Sequence, residues 1–153
     1  MSIRLAIRYP LSVFYDASCA MCASEMNALK ARDFTGMLQL VDCSAPEFSD
    51  EGFLAEGITR TALMARMHVR DASGQWFVAM DAFEVVYRAA GLERAASLWG
   101  DRRWRPFFDR LYPWIARYRQ PLSRLGLAAL VGRVIPKPTS ASSSRQGEFC
   151  QRR

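Results

Sequence analysis

Residues 12–22 read SVFYDASCAMC, and this stretch decides the fold. The apolar run from Ser12 to Tyr15 contains Val, Phe and Tyr, which is typical of a buried strand. From Ala20 to Arg32 the chain has no Pro or Gly and is rich in Ala, Met, Leu, Glu and Lys, so we predict a helix there. The pair Cys19 and Cys22 therefore falls between the end of a strand and the first turn of a helix.

The residues that flank this helix complete a strand-helix-strand unit. Ser18 is well placed to cap the helix, and Gly36 comes soon after its end. Met37 to Asp42 then alternates apolar and polar residues, which predicts a second strand. We expect it to lie parallel to the first strand through a right-handed crossover.

The next segments predict a loop and then a hairpin. Residues 43–57 mix one Pro, two Gly and four acidic residues with three large apolar residues, so we expect a loop with one short helix. Alternation over residues 65–70 predicts a strand, the residues DASG at 71–74 predict a turn, and Trp76 to Met80 predicts its antiparallel partner. Asp81 and Glu84 then resemble a capping box for a helix that ends at Gly91.

The order β-α-β, then β-β-α, predicts an α/β fold, namely a thioredoxin-like domain over residues 1–100. A C-terminal helical extension is expected at residues 101–136 and should pack on that domain. It would contain one helix over Trp104 to Gln120 and a second over Leu122 to Ile135, with Pro121 between them. Residues 137–153 are poor in apolar side chains, so we expect a disordered tail there.

Charge is distributed unevenly over the 153 residues, which carry a formal net charge of +6. Residues 1–101 are acidic, and the C-terminal third is basic. Such a region attracts anionic partners, but arginines spaced along amphipathic helices more often form a solvated face, and no nucleic-acid-binding motif accompanies them. With neither an export signal nor an apolar run long enough to span a bilayer, we expect a cytoplasmic protein.

The cysteine pair carries the predicted chemistry. Two cysteines three residues apart on a first helical turn can form a disulfide and open it again without refolding of the domain. The helix N-terminus favours the thiolate and lowers the pKa of a nearby thiol. We therefore expect Cys19 to be the nucleophile, and Cys22, shielded deeper in the helix, to resolve the mixed disulfide.

Two further readings of the site residues remain open. Asp16 lies three residues before Cys19, where it is either a proton acceptor for a thiol or a residue that holds the turn. The second reading concerns metal, because Cys19, Cys22, Cys43 and His68 together would supply four zinc ligands. Their spacing argues against zinc, since Cys43 and His68 are isolated on different predicted elements.

Taken alone, Cys43 is expected to be a small buried residue, and His68 a surface or packed residue. Cys150 is expected to be a tail residue without a role.

Asp16, Cys19 and Cys22 match the Asp, Cys, Cys signature of the DCC family of thiol-disulfide oxidoreductases, and the chain resembles that family over about residues 12–120. Two further regions carry the resemblance: Met67-His68-Val69 with Gly74 and Asp81-Ala82-Phe83, and then Arg105-Pro106, Tyr112, Ala116 and Arg119. The resemblance implies a thioredoxin-like fold and redox activity.

Together, the motif and the resemblance predict an enzyme that exchanges disulfides through Cys19 and Cys22, with no bound cofactor. Its substrate would be a disulfide-containing protein or a small thiol compound, and its reductant glutathione or a thioredoxin system. The alternative is a non-catalytic binding module of the same fold, or a structural zinc protein that uses Cys19, Cys22, Cys43 and His68.

Overall fold

A computed structural model describes residues 7–122 of the chain. Its four strands are β1 (Leu11–Tyr15), β2 (Leu38–Asp42), β3 (His68–Arg70) and β4 (Trp76–Val78). Its five α-helices are α1 (Ala20–Lys30), α2 (Arg60–Ala65), α3 (Met80–Ala89), α4 (Glu93–Gly100) and α5 (Arg105–Leu122), and a 3-10 helix covers Glu51–Glu56.

The strands form one mixed sheet in the order β2-β1-β3-β4. β1 pairs with β2 in parallel, so α1 connects them as the crossover of a βαβ unit. β3 pairs antiparallel with both β1 and β4. The β3-β4 hairpin turns at Gly74, whose φ of +91° suits glycine. This mixed α/β architecture is consistent with a thioredoxin-like fold, as the sequence predicts.

Both faces of the sheet are covered, and β1 contributes to both sides. Leu11 and Val13 are fully buried in a cluster with residues of α1, α3 and α4. Phe14 faces a second cluster, which contains Cys43, Leu63 of α2 and the partly buried rings of Phe53 and Trp76. Because apolar residues of β1 pack on both sides, the strand reads as a continuous apolar run rather than as an alternation.

The elements after the loop differ from the predicted ones. The strand expected from Ala65 begins only at His68, because Arg60–Ala65 forms α2, whose start is capped by the Thr59 hydroxyl. The Thr59 oxygen accepts a hydrogen bond from the backbone N–H of Ala62 at 3.2 Å. α4 was also not predicted. The short helix expected within residues 43–57 is confirmed as the 3-10 helix.

Two predicted caps are wrong. The N-cap of α1 is Cys19 rather than Ser18, whose hydroxyl donates to Asp16 Oδ1 instead. The N-cap of α3 is Ala79, so Asp81 already lies inside the helix and makes no capping box. Asp81 instead accepts two hydrogen bonds from the guanidinium of Arg105, at 2.7 and 2.9 Å.

Helix α5 represents the helical extension in the described part of the chain. It contains Pro113 and continues through Pro121, which had been expected to end it. One face packs towards the domain through Phe108, Leu111, Tyr112 and Ile115, whereas Trp104, Phe107, Trp114 and Tyr118 are exposed. The helix that was expected to pack on the domain therefore leaves part of its apolar surface exposed. The helix expected over residues 122–135 and the expected tail, including Cys150, lie outside the described residues.

Candidate active site

The two motif cysteines lie together at the start of α1. Cys19 is the N-cap residue, with extended backbone, and its carbonyl accepts the hydrogen bond of Ala23 N–H at 2.9 Å. Cys22 lies one turn into the helix. The two Sγ atoms are 2.9 Å apart, within reach of a weak S–H···S hydrogen bond, and no disulfide joins them.

The burial of the pair reverses the order expected from the sequence. Cys19 is only 1% exposed, whereas Cys22 is partly exposed. Cys19 lies at the junction of β1 and α1, where its N–H bonds the carbonyl of Asp16 at 3.3 Å. Cys22 lines a cleft instead. The expectation that Cys22 is the shielded thiol is therefore wrong.

Asp16 is buried and holds the turn between β1 and α1. Its Oδ1 accepts hydrogen bonds from both the backbone N–H of Ser18, at 3.0 Å, and the Ser18 hydroxyl. This is an Asx-turn, in which the carboxylate accepts a hydrogen bond from the Ser18 N–H, a backbone group that lies outside the hydrogen bonding of the strand and the helix. The geometry favours the turn-holding reading of Asp16.

Cys43 and His68 do not join the pair in a metal site. Cys43 is fully buried against Phe14 and Leu63, where burial and then the Asp42 carboxylate raise its pKa to about 12. His68 is buried rather than on an outer face, with Nδ1 2.8 Å from the carbonyl of Arg66, and burial lowers its pKa. Within residues 7–122 no group of three or more His, Cys, Asp and Glu side chains is arranged to hold a metal ion.

A cleft of about 210 Å³ opens beside Cys22. Its walls come from all five α-helices and from the segment before β3, so residues far apart in sequence meet there. Most of them are apolar or aromatic, and four are methionines: Met21, Met26, Met67 and Met80. The arrangement places a thiol on the wall of a largely apolar binding space.

Comparison with protein families agrees with this geometry. The family model of the DCC1-like thiol-disulfide oxidoreductases matches residues 13–125, which is well over half of the chain. The chain belongs to this family. No curated protein and no solved structure matches the chain. Membership in the DCC1-like family implies a thiol or a disulfide as substrate, and the match includes both motif cysteines and the cleft.

The regions that carry the family resemblance contact one another in the structure. The Tyr112 hydroxyl of α5 accepts a hydrogen bond from the backbone N–H of Met67, at 3.0 Å, just before β3. Arg105 at the start of α5 forms its two-pronged ion pair with Asp81 of α3. These contacts attach α5 to α3 and to the segment before β3, so the extension contributes directly to the cleft wall.

Glu25 is a cleft residue that was not singled out in the sequence. It lies three residues after Cys22 on α1, and its Oε1 accepts a hydrogen bond from the Tyr87 hydroxyl at 2.6 Å. Burial raises the pKa of Glu25, and the hydrogen bond from Tyr87 opposes this only in part. Cys22 and Glu25 are three residues apart and share one face of α1, so their spacing could have indicated that Glu25 lies near the cysteine pair.

Ala79 is strained where the chain passes from β4 into α3. Its φ of +53° is unusual for any residue with a Cβ, and it directly precedes Met80 on the cleft wall. Its N–H donates to the carbonyl of Met67 at 3.0 Å, which ties the strained residue to the segment before β3. Such strain is characteristic of functional sites.

Proposed function

We propose that this chain is a thiol-disulfide oxidoreductase in which Cys19 and Cys22 cycle between a dithiol and a disulfide. The observation that carries the proposal is the 2.9 Å separation of the two Sγ atoms beside an open cleft. A disulfide bond is about 2.05 Å long, so closing it requires a shift of less than about 1 Å. Membership in the DCC1-like family supports the same chemistry.

The exchange proceeds in two displacements at sulfur. A thiolate of the pair attacks one sulfur of the substrate disulfide, and the other substrate sulfur leaves as a thiolate and takes up a proton. The second cysteine of the pair loses its proton and attacks the mixed disulfide. This releases the second substrate thiol and leaves the Cys19–Cys22 disulfide, so two electrons have passed from the protein to the substrate. An external thiol reductant, such as glutathione or a thioredoxin system, restores the dithiol.

The remaining site residues support the pair without taking part in electron transfer. Asp16 acts as a positioning residue, because it holds the turn that leads into Cys19. Cys43 stays outside the exchange, since a thiol whose pKa is about 12 is almost entirely protonated near neutral pH. The cysteine sulfurs carry the electrons themselves, so the reaction needs no bound cofactor.

A disulfide-containing protein or a small thiol compound is the proposed substrate, and a reducing compartment such as the cytoplasm is the proposed location. Within residues 7–122 no helix has the length and apolarity that a membrane span requires. The cysteine content supports this location, because one close pair in a chain of 153 residues is unlike the disulfide frameworks of small secreted domains.

Replacement of single cysteines tests the proposal. Cys19→Ser and Cys22→Ser should each lower the turnover of a disulfide in the presence of a thiol reductant by about a hundredfold or more. Cys43→Ser is the matched control and should keep the turnover of the parent protein. Circular dichroism verifies that each variant folds. Full turnover in either Cys19→Ser or Cys22→Ser would refute the proposal, and stoichiometric zinc that is lost in Cys22→Ser would favour the non-catalytic alternative.

A further inference from the structure

The cleft beside Cys22 has a specific chemical character. Its walls combine four methionines with apolar and aromatic residues that include Phe83 and Ile115. Methionine side chains are flexible and polarizable, so they adapt to apolar groups of different shapes and pack well on aromatic rings. This lining suits an uncharged apolar ligand.

Three polar side chains of the cleft are already engaged with the protein. Asp16 holds the Ser18 turn, Glu25 accepts from Tyr87, and Tyr112 accepts from Met67. Arg66 is the remaining charged residue of the lining, and it is exposed. A highly charged disulfide such as oxidised glutathione would lose hydration here and gain few partners, which disfavours its binding in this cleft.

The dimensions of the cleft limit what it can hold. A cavity of about 150 Å³ lined by apolar side chains is known to bind benzene. The present cleft, at about 210 Å³, is large enough for one aromatic ring with a short linker. It is too small for a folded peptide segment. One arm of a small disulfide would fill it, while the other arm remains outside.

Access to sulfur differs sharply between the two cysteines. Cys22 lines the cleft, whereas Cys19 does not and is only 1% exposed. A substrate sulfur held in the cleft therefore meets Cys22 first. Displacement at a disulfide requires direct contact between the attacking thiolate and the sulfur, so access determines which cysteine attacks.

From the cleft and the burial of the pair, we infer that the substrates are small apolar disulfides that bind in this cleft and react first with Cys22. This inference rests on the proposed function and deepens it. Cys22 Sγ bonds to one substrate sulfur, and the other leaves as a thiolate that is protonated by solvent. Cys19 then loses its proton, attacks Cys22 Sγ and releases the second thiol. The protein is oxidised by two electrons, and an external dithiol reduces it again.

The substrate preference is tested by single-turnover kinetics of the fully reduced protein. Dibenzyl disulfide is compared with bis(2-hydroxyethyl) disulfide, which is also uncharged but polar. The rate constant for each disulfide is divided by the rate constant for the reaction of the same disulfide with N-acetylcysteine. This ratio corrects for the intrinsic reactivity of the disulfide. Burial of the benzyl arm should favour dibenzyl disulfide by about tenfold or more. Equal corrected rates would overturn the inferred preference for apolar substrates but leave the proposed function intact. If neither disulfide reacted, both the inferred preference and the proposed function would be refuted.

Two variants locate the binding site on α5. Ile115→Gln places a polar group in the cleft and should reduce the preference for dibenzyl disulfide severalfold. Trp114→Gln is the matched control, because Trp114 is the adjacent residue and is 55% exposed, and it should keep the preference. If Ile115→Gln fails to fold, the comparison of the two substrates on the parent protein still decides the question. An unchanged preference for dibenzyl disulfide in a folded Ile115→Gln variant would overturn the assignment of the cleft as the binding site.

Trapping identifies the attacking thiol. Cys19→Ser should form a stable mixed disulfide between Cys22 and the benzylthiol, detected by mass spectrometry of the peptide. Cys22→Ser should form the corresponding adduct on Cys19 at least about tenfold more slowly, because Cys19 is buried. Faster trapping on Cys19 than on Cys22 would overturn the assignment of Cys22 as the attacking thiol.

Discussion

Three strands of the sheet end in the same short motif. Asp16 follows β1, Asp42 is the last residue of β2, and Asp71 follows β3. In each case a serine comes two residues later, and its N–H and hydroxyl both donate to the aspartate Oδ1. The aspartate of the family signature therefore makes the same turn that Asp42 and Asp71 make at the ends of two other strands.

This repetition predicts how Asp16 contributes to activity. Asp16→Ala removes both hydrogen bonds from Ser18, which should lower the free energy of unfolding by about 1 to 3 kcal/mol and slow the exchange, because the turn before Cys19 is no longer held. Asp16→Asn retains an oxygen that can accept these bonds, so it should recover most of the stability and of the exchange rate. Urea unfolding and single-turnover kinetics measure the two effects.

The matched pair Asp71→Ala and Asp71→Asn serves as the control. Asp71 makes the same turn with Ser73 but follows β3 rather than the strand that leads into the cysteines. Its variants should change stability without an effect on exchange. If Asp16→Asn slowed exchange as much as Asp16→Ala while it kept full stability, Asp16 would be a proton acceptor and the positioning role would be wrong.

Glu25 gives the molecule a pH-dependent contribution to stability. Because burial raises its pKa in the folded state, the folded protein holds this proton at pH values where the unfolded chain has already lost it. The contribution of Glu25 to stability should therefore fall as pH rises from the unfolded pKa, about 4.3, to the raised folded pKa, and then stay constant. Below the unfolded pKa this unfavourable effect is absent.

Glu25→Gln removes the titration and keeps an oxygen that can accept the hydrogen bond of Tyr87. Relative to the parent protein, the variant should therefore gain stability as pH rises from the unfolded pKa, about 4.3, to the raised folded pKa. Urea unfolding at several pH values measures the difference, with Glu47→Gln at an exposed position as the control carboxylate. A difference between Glu25→Gln and the parent that does not change with pH would contradict the account.

At the scale of elements, the attachment of α5 determines one wall of the cleft. Tyr112→Phe leaves the N–H of Met67 without this acceptor, which should cost about 1 to 3 kcal/mol of unfolding free energy. Tyr118→Phe is the control on the same helix, because Tyr118 is 42% exposed, and it should have little effect. Urea unfolding and the hydrogen exchange of the Met67 amide measure the change. Equal stability of the two variants would contradict the proposed attachment.

The elements that the sequence predicted well are those with strong local patterns. The β1-α1-β2 unit and the β3-β4 hairpin are confirmed, because apolar runs, helix formers and the turn with Gly74 act over a few residues. Helix α2 was missed because it spans only six residues, too few to show a helical periodicity, although Thr59 marks its start. The strain at Ala79 had no signal in the sequence, since no glycine stands there.

The chemistry of the site was more predictable than its shape. The spacing of Cys19 and Cys22 and their place at a helix start indicated a reactive pair, and the structure brings their sulfurs together. The cleft beside Cys22, in contrast, is built by residues far apart in sequence, such as Tyr112 of α5 and Met67 before β3. Local periodicity carries no information about such contacts, so the cleft and the exposure of Cys22 could not be derived from the motif.

For the molecule as a whole, the central claim is that the Cys19–Cys22 pair is redox-active, and one measurement tests it most directly. The purified protein is equilibrated in glutathione buffers of graded ratio, and each cysteine is read by thiol labelling and mass spectrometry. The account predicts a reversible two-electron transition confined to Cys19 and Cys22, with a midpoint roughly between −270 and −120 mV, while Cys43 stays reduced. A pair that stays reduced at every ratio, or oxidises only after a metal has been removed, would contradict it.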